Sequence, residues 1–144
     1  MKERRNAPPA LADDLMFSLI TVGRAMEERL EHALDQVGLS MPKYGLLNHL
    51  VESGEALTLG QCADRMTCVR SNMTQLMDRL EAEGLVKRVE DPSDRRAVRA
   101  SVTPLGLERH AAGARVIKKV KKDFAKTLAG IDQAALQRAL QAMK

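Results

Sequence analysis

Five neighbouring polar residues have side chains that could bind a nucleic acid. Arg70, Ser71, Thr74 and Gln75 lie on the polar side of a predicted helix whose opposite side is apolar. Arginine, hydroxyl and amide groups are the side chains that hydrogen-bond to base edges and phosphates in a DNA groove. We predict that these four residues contact the major groove and its flanking phosphates, and that Asn72 joins them if the helix docks with some rotation.

A charged turn further along the chain is the second candidate site. Residues 91–96 read Asp-Pro-Ser-Asp-Arg-Arg, which is the composition of an exposed hairpin tip. Arg95 or Arg96 is predicted to enter the minor groove, because the negative potential of a narrow groove favours a guanidinium. Asp94 would be repelled by phosphates. We therefore expect Asp94 to hold the turn in shape by pairing with an arginine, either Arg79 or Arg96.

Six predicted helices and one hairpin position these residues. Apolar residues at steps of three and four, with capping and glycine signals, predict helices over about 11–37, 41–53, 58–66, 69–83 and 103–128 and a short one after Asp132. Two strands, 85–89 and 97–102, flank the charged turn. The fold is therefore expected to be mainly α with a small β-hairpin, in the order that a winged helix-turn-helix requires.

Two apolar patterns indicate how these helices pack. The fourth helix is predicted to bury the stripe Val69, Met73, Leu76 and Leu80. The first helix would be about 40 Å long, which is more than a domain of this size needs for its own core. Its apolar side is therefore expected to contact a second chain as well.

Composition bounds the class of protein. The chain has 144 residues, 44% of them hydrophobic and 29% charged, which fits one folded domain with helical extensions and not a disordered chain. No apolar run approaches the roughly 18 residues of a membrane span, and none follows the basic N-terminal residues. We therefore expect a cytoplasmic protein with no secretory signal and no membrane partner.

The positive charge is distributed unevenly. The formal net charge of +4 is consistent with a polyanionic partner, but residues 58–104 carry eight Lys and Arg against seven Asp and Glu. The conspicuous basic cluster is Lys118, Lys119, Lys121 and Lys122, in the fifth predicted helix. We interpret this cluster first as solvated helix surface, with long-range attraction of DNA as the alternative.

No pattern in the chain indicates a catalytic or metal site. His32, His49 and His110 have no helical ligand spacing with one another or with a cysteine, and no catalytic triad or glycine-rich phosphate loop occurs. We predict no enzyme activity and no metal or other cofactor. Cys62 is expected to pack as a small apolar residue, whereas Cys68 opens a helix whose N-terminus can lower a thiol pKa. A cysteine-based redox switch therefore stays open as an alternative.

Three segments together resemble the multiple-antibiotic-resistance regulator (MarR) family. Residues 78–88 match a D-R-L-x-x-x-G-L-V-x-R helix end, and residues 91–96 match a D-P-x-D-R-R wing. Residues 102–106 match an L-T-x-x-G helix start, with Val102 in place of the usual leucine. The three segments occur in the family's order and spacing, and the long helices on either side extend the resemblance to nearly the whole chain.

The resemblance implies an architecture and a function. It implies an N-terminal dimerisation helix in residues 1–40, a winged helix-turn-helix DNA-binding domain in residues 41–104, and C-terminal dimerisation helices in residues 105–144. A homodimer with this fold would bind an inverted repeat in double-stranded DNA, with half-site centres about 10 base pairs apart. Repression is the commoner mode in the family, so we expect a repressor. A winged-helix module that binds proteins without reading DNA is the other alternative.

The resemblance also implies a small aromatic or phenolic ligand that releases the DNA. In the family such ligands bind between the dimer helices and the winged domain. The corresponding residues here are Met16, Phe17, Ile20, Arg24, Met41, Tyr44 and Leu47. Methionine-rich apolar walls with one arginine and one tyrosine suit a flat organic anion, and plain core packing is the alternative for each residue.

Overall fold

The structure, a computed structural model, describes residues 9–66 and 70–144, without the side chains of residues 9, 10, 70 and 71. Its elements are α1 (Pro9–Asp35), α2 (Met41–Ser53), β1 (Leu57–Thr58), α3 (Leu59–Met66), α4 (Arg70–Ala82), β2 (Val86–Glu90), β3 (Val98–Val102), α5 (Pro104–Thr127) and α6 (Gln133–Gln141). The predicted mainly α fold with a β-hairpin is confirmed. Helices α2 to α4 and the hairpin β2–β3, which we call the wing, form the winged helix-turn-helix.

Local capping explains where the central helices begin. The Ser40 hydroxyl accepts the Lys43 backbone N–H at 3.3 Å, and Pro42 occupies the first turn of α2. At α3 the Thr58 hydroxyl accepts the Gln61 N–H at 3.1 Å, while the Gln61 amide oxygen accepts the Thr58 N–H at 2.9 Å. This reciprocal pair is the capping box that the sequence predicts.

The sheet contains a short strand that the sequence does not predict. The strand order is β1–β3–β2 and all pairs are antiparallel, with Leu57 opposite Ala100 and Val86 opposite Val102. Strand β1 has only two residues, and a strand of that length has no alternating pattern from which it could be recognised. It nevertheless ties the segment between α2 and α3 to the base of the wing.

One hydrophobic core holds α4 in place under the wing. Leucines of α2 (Leu46, Leu47 and Leu50) meet Met73, Met77 and Leu80 of α4, and all of these side chains are buried. Met73 and Leu80 of the predicted stripe are confirmed as core residues, whereas Leu76 is only half-buried and Met77 takes its place. Val69 lies outside the described residues. The core fixes which side of α4 remains exposed to solvent.

The long helices expose much of their apolar surface. Leu15, Met16, Phe17 and Ile20 of α1 are between 46 and 63% exposed, and Ile131 before α6 is 49% exposed. Only the C-terminal part of α1 contacts the core, through Leu34, and α1 also packs on α5. No helix in the described ranges is long and apolar enough to cross a membrane.

Candidate nucleic-acid interface

Helix α4 presents a polar side opposite the core. Met73, Met77 and Leu80 recur at steps of four and three, so their burial turns the intervening positions outward. Asn72, Thr74 and Gln75 are all exposed. The backbone of Arg70 and Ser71 belongs to the first turn of α4, and their side chains lie outside what the structure describes. The described part of the predicted recognition surface is therefore accessible to DNA.

Arg79 lies on the same side of α4 as two of these residues. Asn72, Gln75 and Arg79 line a surface groove together with Pro42, Met66 and Leu76. The prediction that Asp94 pairs with Arg79 or Arg96 through an ion pair is wrong. The Asp94 carboxylate instead accepts the backbone N–H of Arg96 at 2.9 Å. Asp94 does shape the turn, but through the main chain, because a short aspartate side chain reaches the N–H two residues ahead of it.

The ion pair that supports the wing joins Asp91 to Arg99. The Arg99 Nε donates to an Asp91 carboxylate oxygen at 2.9 Å, and Nη1 donates to the carbonyl of Ala56 at 3.2 Å. The other Asp91 oxygen accepts the backbone N–H and the hydroxyl of Ser93, at 2.9 and 2.8 Å. Arg99 therefore ties the base of the wing tip to the segment that precedes β1. Sequence reasoning missed this pair, although Asp91 and Arg99 are close to each other across the predicted hairpin.

These contacts hold the pKa of Asp91 low. Hydrogen bonds from the backbone and hydroxyl of Ser93, and then the hydrogen bond from Arg99, lower the pKa of Asp91 from 3.8 to about 2. The carboxylate therefore stabilises the folded wing above pH 3.8, and that contribution is lost as the pH falls from 3.8 through 2.

Replacing Asp91 with asparagine is expected to lower the melting temperature above pH 3.8, because the partly buried Arg99 loses its anionic partner. The difference in melting temperature between the wild type and Asp91→Asn should shrink as the pH falls from 3.8 towards 2. Thermal unfolding followed by circular dichroism over this pH range tests the prediction. A difference that is the same at every pH would show that the Asp91 charge does not stabilise the wing.

Ion pairing separates the cations of the winged domain into two groups. Arg88 pairs with Asp78 and with Glu81, and Lys43 pairs with Glu83. Arg95 and Arg96 are exposed at the wing tip, and neither forms an ion pair within residues 9–66 and 70–144. The two tip arginines are therefore available to an external anion, whereas Arg88 is already neutralised by its neighbours.

A second candidate site is an apolar cleft of about 420 Å³ between α1, α2 and α5. It is lined by Met26, Leu30, Leu34, Met41, Tyr44, Gly45, Ile117, Val120, Lys121 and Phe124. Of the predicted ligand residues, Met41 and Tyr44 do line this cleft.

The other predicted ligand residues lie elsewhere. Leu47 is fully buried in the core, whereas Met16, Phe17, Ile20 and Arg24 are exposed and outside the cleft. The N-terminal half of α1 extends past the winged domain, so the wall begins at Met26. Sequence reasoning also missed the wall that α5 contributes.

One wall of the cleft is fixed by an aromatic stack. The rings of Tyr44 and His110 are parallel within 4°, with centroids 5.3 Å apart, and His110 Nε2 lies 2.9 Å from the Asn48 amide oxygen. Burial, and then the charge of Glu52, raises the pKa of Tyr44, and burial lowers the pKa of His110. Gly113 makes room for the stack, since a Cβ there would lie 2.6 Å from the Tyr44 ring.

The cysteines and histidines form no metal-binding cluster in the part of the chain that the structure describes. Cys62 is fully buried in the core, which confirms its predicted packing, and Cys68 lies outside the described residues. No cluster of three or more His, Cys, Asp or Glu side chains with metal-binding geometry occurs among the described residues.

Comparison with known proteins finds a matching family model and solved structures with a similar fold. The model of the MarR family matches residues 39–98, which run from just before α2 into β3. The chain is 33% identical over 93 residues to the uncharacterized HTH-type transcriptional regulator YsmB of Bacillus subtilis, over 65% of this chain and 63% of that protein. It thus spans less than two thirds of that relative's length.

Two solved structures share the whole architecture. AbsC, a MarR family transcriptional regulator from Streptomyces coelicolor, superposes with a TM-score of 0.80 and 28% identity over 96% of this chain and 95% of AbsC. CouR from Rhodococcus jostii, solved with p-coumaroyl-CoA bound, superposes with a TM-score of 0.76 and 27% identity over 94% of this chain and 93% of CouR. The likeness therefore includes the long helices as well as the winged domain.

Proposed function

Because the chain belongs to the MarR family, we propose that it is a transcriptional regulator that binds double-stranded DNA as a homodimer. The observation that carries the proposal is the juxtaposition of two features in one domain. The exposed polar side of α4 provides groups that can read base edges, and the wing tip provides two arginines without a carboxylate partner among the described residues. The ion-paired cations of the same domain are not available for this purpose.

Each predicted DNA contact is assigned a role in this proposal. Major-groove and adjoining phosphate contacts are assigned to Arg70, Ser71, Asn72, Thr74 and Gln75, and minor-groove contacts to Arg95 and Arg96. Arg79 shares the groove of Asn72 and Gln75, so we assign it to a backbone phosphate instead of to wing support. The wing is supported by Asp94 through the backbone of Arg96, and by the Asp91–Arg99 pair.

The exposed apolar surface of the long helices supports the homodimer. Leu15, Phe17 and Ile20 of α1 are left exposed by the part of the chain that the structure describes, and such a surface is typical of a subunit interface. We propose that residues 1–40 and 105–144 form this interface and leave one winged domain, residues 41–104, for each half-site. A two-fold dimer of this kind matches an inverted repeat, and its occupation of a promoter would repress transcription.

The first experiment is a titration of the DNA upstream of the protein's own gene, by fluorescence anisotropy at two salt concentrations. We expect saturable binding of one dimer to an inverted repeat, weakened steeply by salt because phosphate contacts release counterions. Weak binding that is the same for unrelated DNA would overturn sequence-specific regulation from this operator and favour a winged helix that does not read DNA.

We assign the apolar cleft to a small aromatic or phenolic ligand whose binding releases the DNA. The relative CouR was solved with p-coumaroyl-CoA, an ester of an aromatic acid. In this chain Lys121 is the cation at the cleft, in place of the predicted Arg24, so an aromatic body with one negative group fits the lining. The cleft lies between α1 and α5 of the proposed dimer unit and α2 of the winged domain, so a ligand there contacts both.

Replacing Lys121 with methionine is expected to remove a preference for the anionic member of a matched ligand pair. Cinnamate and cinnamyl alcohol share a carbon skeleton and differ in charge. The wild type should bind cinnamate about 1.4- to fivefold more tightly than the alcohol, since a solvent-exposed ion pair contributes about 0.2–1 kcal/mol. Calorimetric titration of the protein without DNA measures this ratio.

Lys119→Met is the matched control, because Lys119 lies on the same helix but outside this cleft. It should keep the wild-type ratio of the two affinities. Equal affinities for acid and alcohol in the wild type, or loss of the preference in both variants, would contradict the role of Lys121.

A further inference from the structure

The helix with the largest net positive charge is α5, which is not part of the proposed operator surface. Helix α5 contains seven Lys and Arg against two Asp and Glu, an excess of five, while the whole chain has a net charge of +4. The winged segment 58–104 has an excess of only one. The recognition residues of α4 and the wing thus leave the largest charge concentration of the chain unexplained.

The cations of α5 lie on different sides of the helix. Val116 and Ile117 pack against the core, and Val120 lines two clefts that lie on either side of it. Lys121 lines the apolar cleft described above, and Lys119 lines the other cleft. At 100° per residue, the outward side carries a row of four exposed cations at steps of three and four. We call this row the basic stripe: Arg115, Lys118, Lys122 and Lys126.

The basic stripe is largely uncompensated. Arg115, Lys118 and Lys122 form no ion pair with any residue that the structure describes, and only Lys126 has a carboxylate partner, Asp123 at 3.3 Å. The stripe extends over about 16 Å of the helix, a length along which duplex DNA presents several phosphates. A row of exposed cations of this length, three of its four members without an ion pair among the described residues, is complementary to a polyanion.

The stripe is remote from the proposed operator surface. Helix α5 begins at the base of the wing, where the Thr103 hydroxyl donates to the Gly84 carbonyl at 2.6 Å, just beyond the C-terminal end of α4. The predicted DNA contacts of α4 are at its other end, and Arg95 and Arg96 are at the tip of the wing. The stripe starts about 16 Å further along α5 from this base. A straight duplex in contact with α4 and the wing tip is therefore not the partner of the stripe.

We infer that the basic stripe is a second, sequence-independent DNA-binding surface, which holds another duplex segment while the winged domains hold the operator. The operator part of this inference rests on the proposed function. Lysine side chains without aromatic or amide neighbours contact phosphates and read no bases. An anionic membrane is less suited, because an interfacial helix inserts its apolar side and that side of α5 packs on α1 and α2. We expect the proposed interface to bury the apolar surface of residues 105–144 and to leave the stripe exposed, since burying unpaired cations is costly.

The test uses a stripe variant, Arg115→Gln/Lys118→Gln/Lys122→Gln, and a wing variant, Arg95→Ala/Arg96→Ala. Binding to a duplex of about 30 base pairs of arbitrary sequence is followed by fluorescence anisotropy against salt, where each lost phosphate contact lowers the log–log slope by about 0.9. We expect the wing variant to retain salt-dependent binding. Adding the stripe substitutions should then weaken it about tenfold or more and lower the slope by about 3 per protomer engaged.

A second measurement tests simultaneous binding. Protein bound to immobilised upstream DNA is offered a labelled duplex of arbitrary sequence, which the wild type should capture. The stripe variant should occupy the immobilised DNA equally and capture none. The control Arg24→Gln/Arg138→Gln/Lys144→Gln removes the same charge at exposed positions outside α5 and should behave as the wild type does.

Three outcomes would overturn the inference. The first is that the wing substitutions alone abolish all binding to the arbitrary duplex. The second is that the control weakens capture as much as the stripe variant does. The third is that the stripe variant loses binding to phosphatidylglycerol vesicles while its DNA binding stays intact, which would identify a membrane as the partner. Failure to prefer the upstream DNA would instead contradict the proposed function, and the arbitrary-duplex assay would still test the stripe.

Discussion

Alanine at both Arg95 and Arg96 is expected to weaken binding to DNA of every sequence by about ten- to a hundredfold at moderate salt, because each protomer loses two charged contacts. The two guanidinium groups are exposed at the wing tip and form no ion pair within the described ranges. The effect should be similar for operator and unrelated DNA, since minor-groove arginines respond mainly to groove width and potential. Anisotropy titrations against salt should also give a log–log slope smaller by about 2 per protomer.

The substitution is expected to leave the wing folded. The contribution of Arg96 to the turn is its backbone N–H, which Asp94 accepts, and alanine retains that group. The Asp91–Arg99 pair is untouched. An unchanged melting temperature would therefore separate a lost contact from a lost fold.

Lysine at the same two positions provides the control for geometry. Arg95→Lys/Arg96→Lys keeps the charge and removes the planar guanidinium that fits a narrow groove. Its affinity should lie between those of the wild type and the alanine variant. If alanine at both positions left affinity and salt slope unchanged, the wing tip would not be part of the DNA surface.

Local signals allowed the central helices to be predicted from the sequence. Ser40 and Thr58 each form a cap within three residues of themselves, so the information that starts α2 and α3 is contained in a few neighbouring positions. The burial of Met73 and Leu80 follows from periodicity alone. The identity of Met77 as a core residue does not, because helical spacing permits either Leu76 or Met77 to face the core.

Contacts between distant segments could not be predicted in the same way. Arg99 donates to the carbonyl of Ala56, 43 residues away, and to Asp91 across the wing. The contact with Ala56 depends on β1 pairing with β3, and β1 is too short to show a pattern. The sequence therefore indicated that an aspartate shapes the turn, but not which aspartate pairs with an arginine.

The prediction of the ligand cleft was wrong in a second way, because it placed the α1 wall at the wrong position along the helix. The resemblance pointed to residues 16–24 of α1, whereas the wall begins at Met26 and includes Ile117 and Phe124 of α5. The position where two long helices cross depends on the packing of α5 on α1 and α2, and no local signal reports it. Of the three predicted α2 residues, Met41 and Tyr44 line the cleft, whereas Leu47 faces the core.

Alanine at Gly106 is expected to destabilise the protein by about 3 kcal/mol, because the added methyl group has no space. A Cβ at this position would lie 2.1 Å from the Leu85 carbonyl oxygen and 2.7 Å from Val102 Cγ2. The Leu85 oxygen is backbone and accepts the Thr103 N–H at 3.1 Å, so it cannot move without breaking the connection between α4 and α5. Leu85 is itself fully buried, which leaves its segment little freedom to shift.

Urea denaturation at a fixed protein concentration measures the loss, with Gly45→Ala as the matched control. Gly45 is also helical, but a Cβ there would meet only Met66 Cε at 3.5 Å, an ordinary contact. Alanine at Gly45 should therefore keep or raise stability, by up to about 1 kcal/mol, since alanine is favoured over glycine inside a helix. If Gly106→Ala were as stable as the wild type, α5 would not be pressed against the end of α4. The expected loss instead explains the glycine of the L-T-x-x-G segment by close packing, because the helix that leads out of the winged domain begins in contact with the backbone that follows α4.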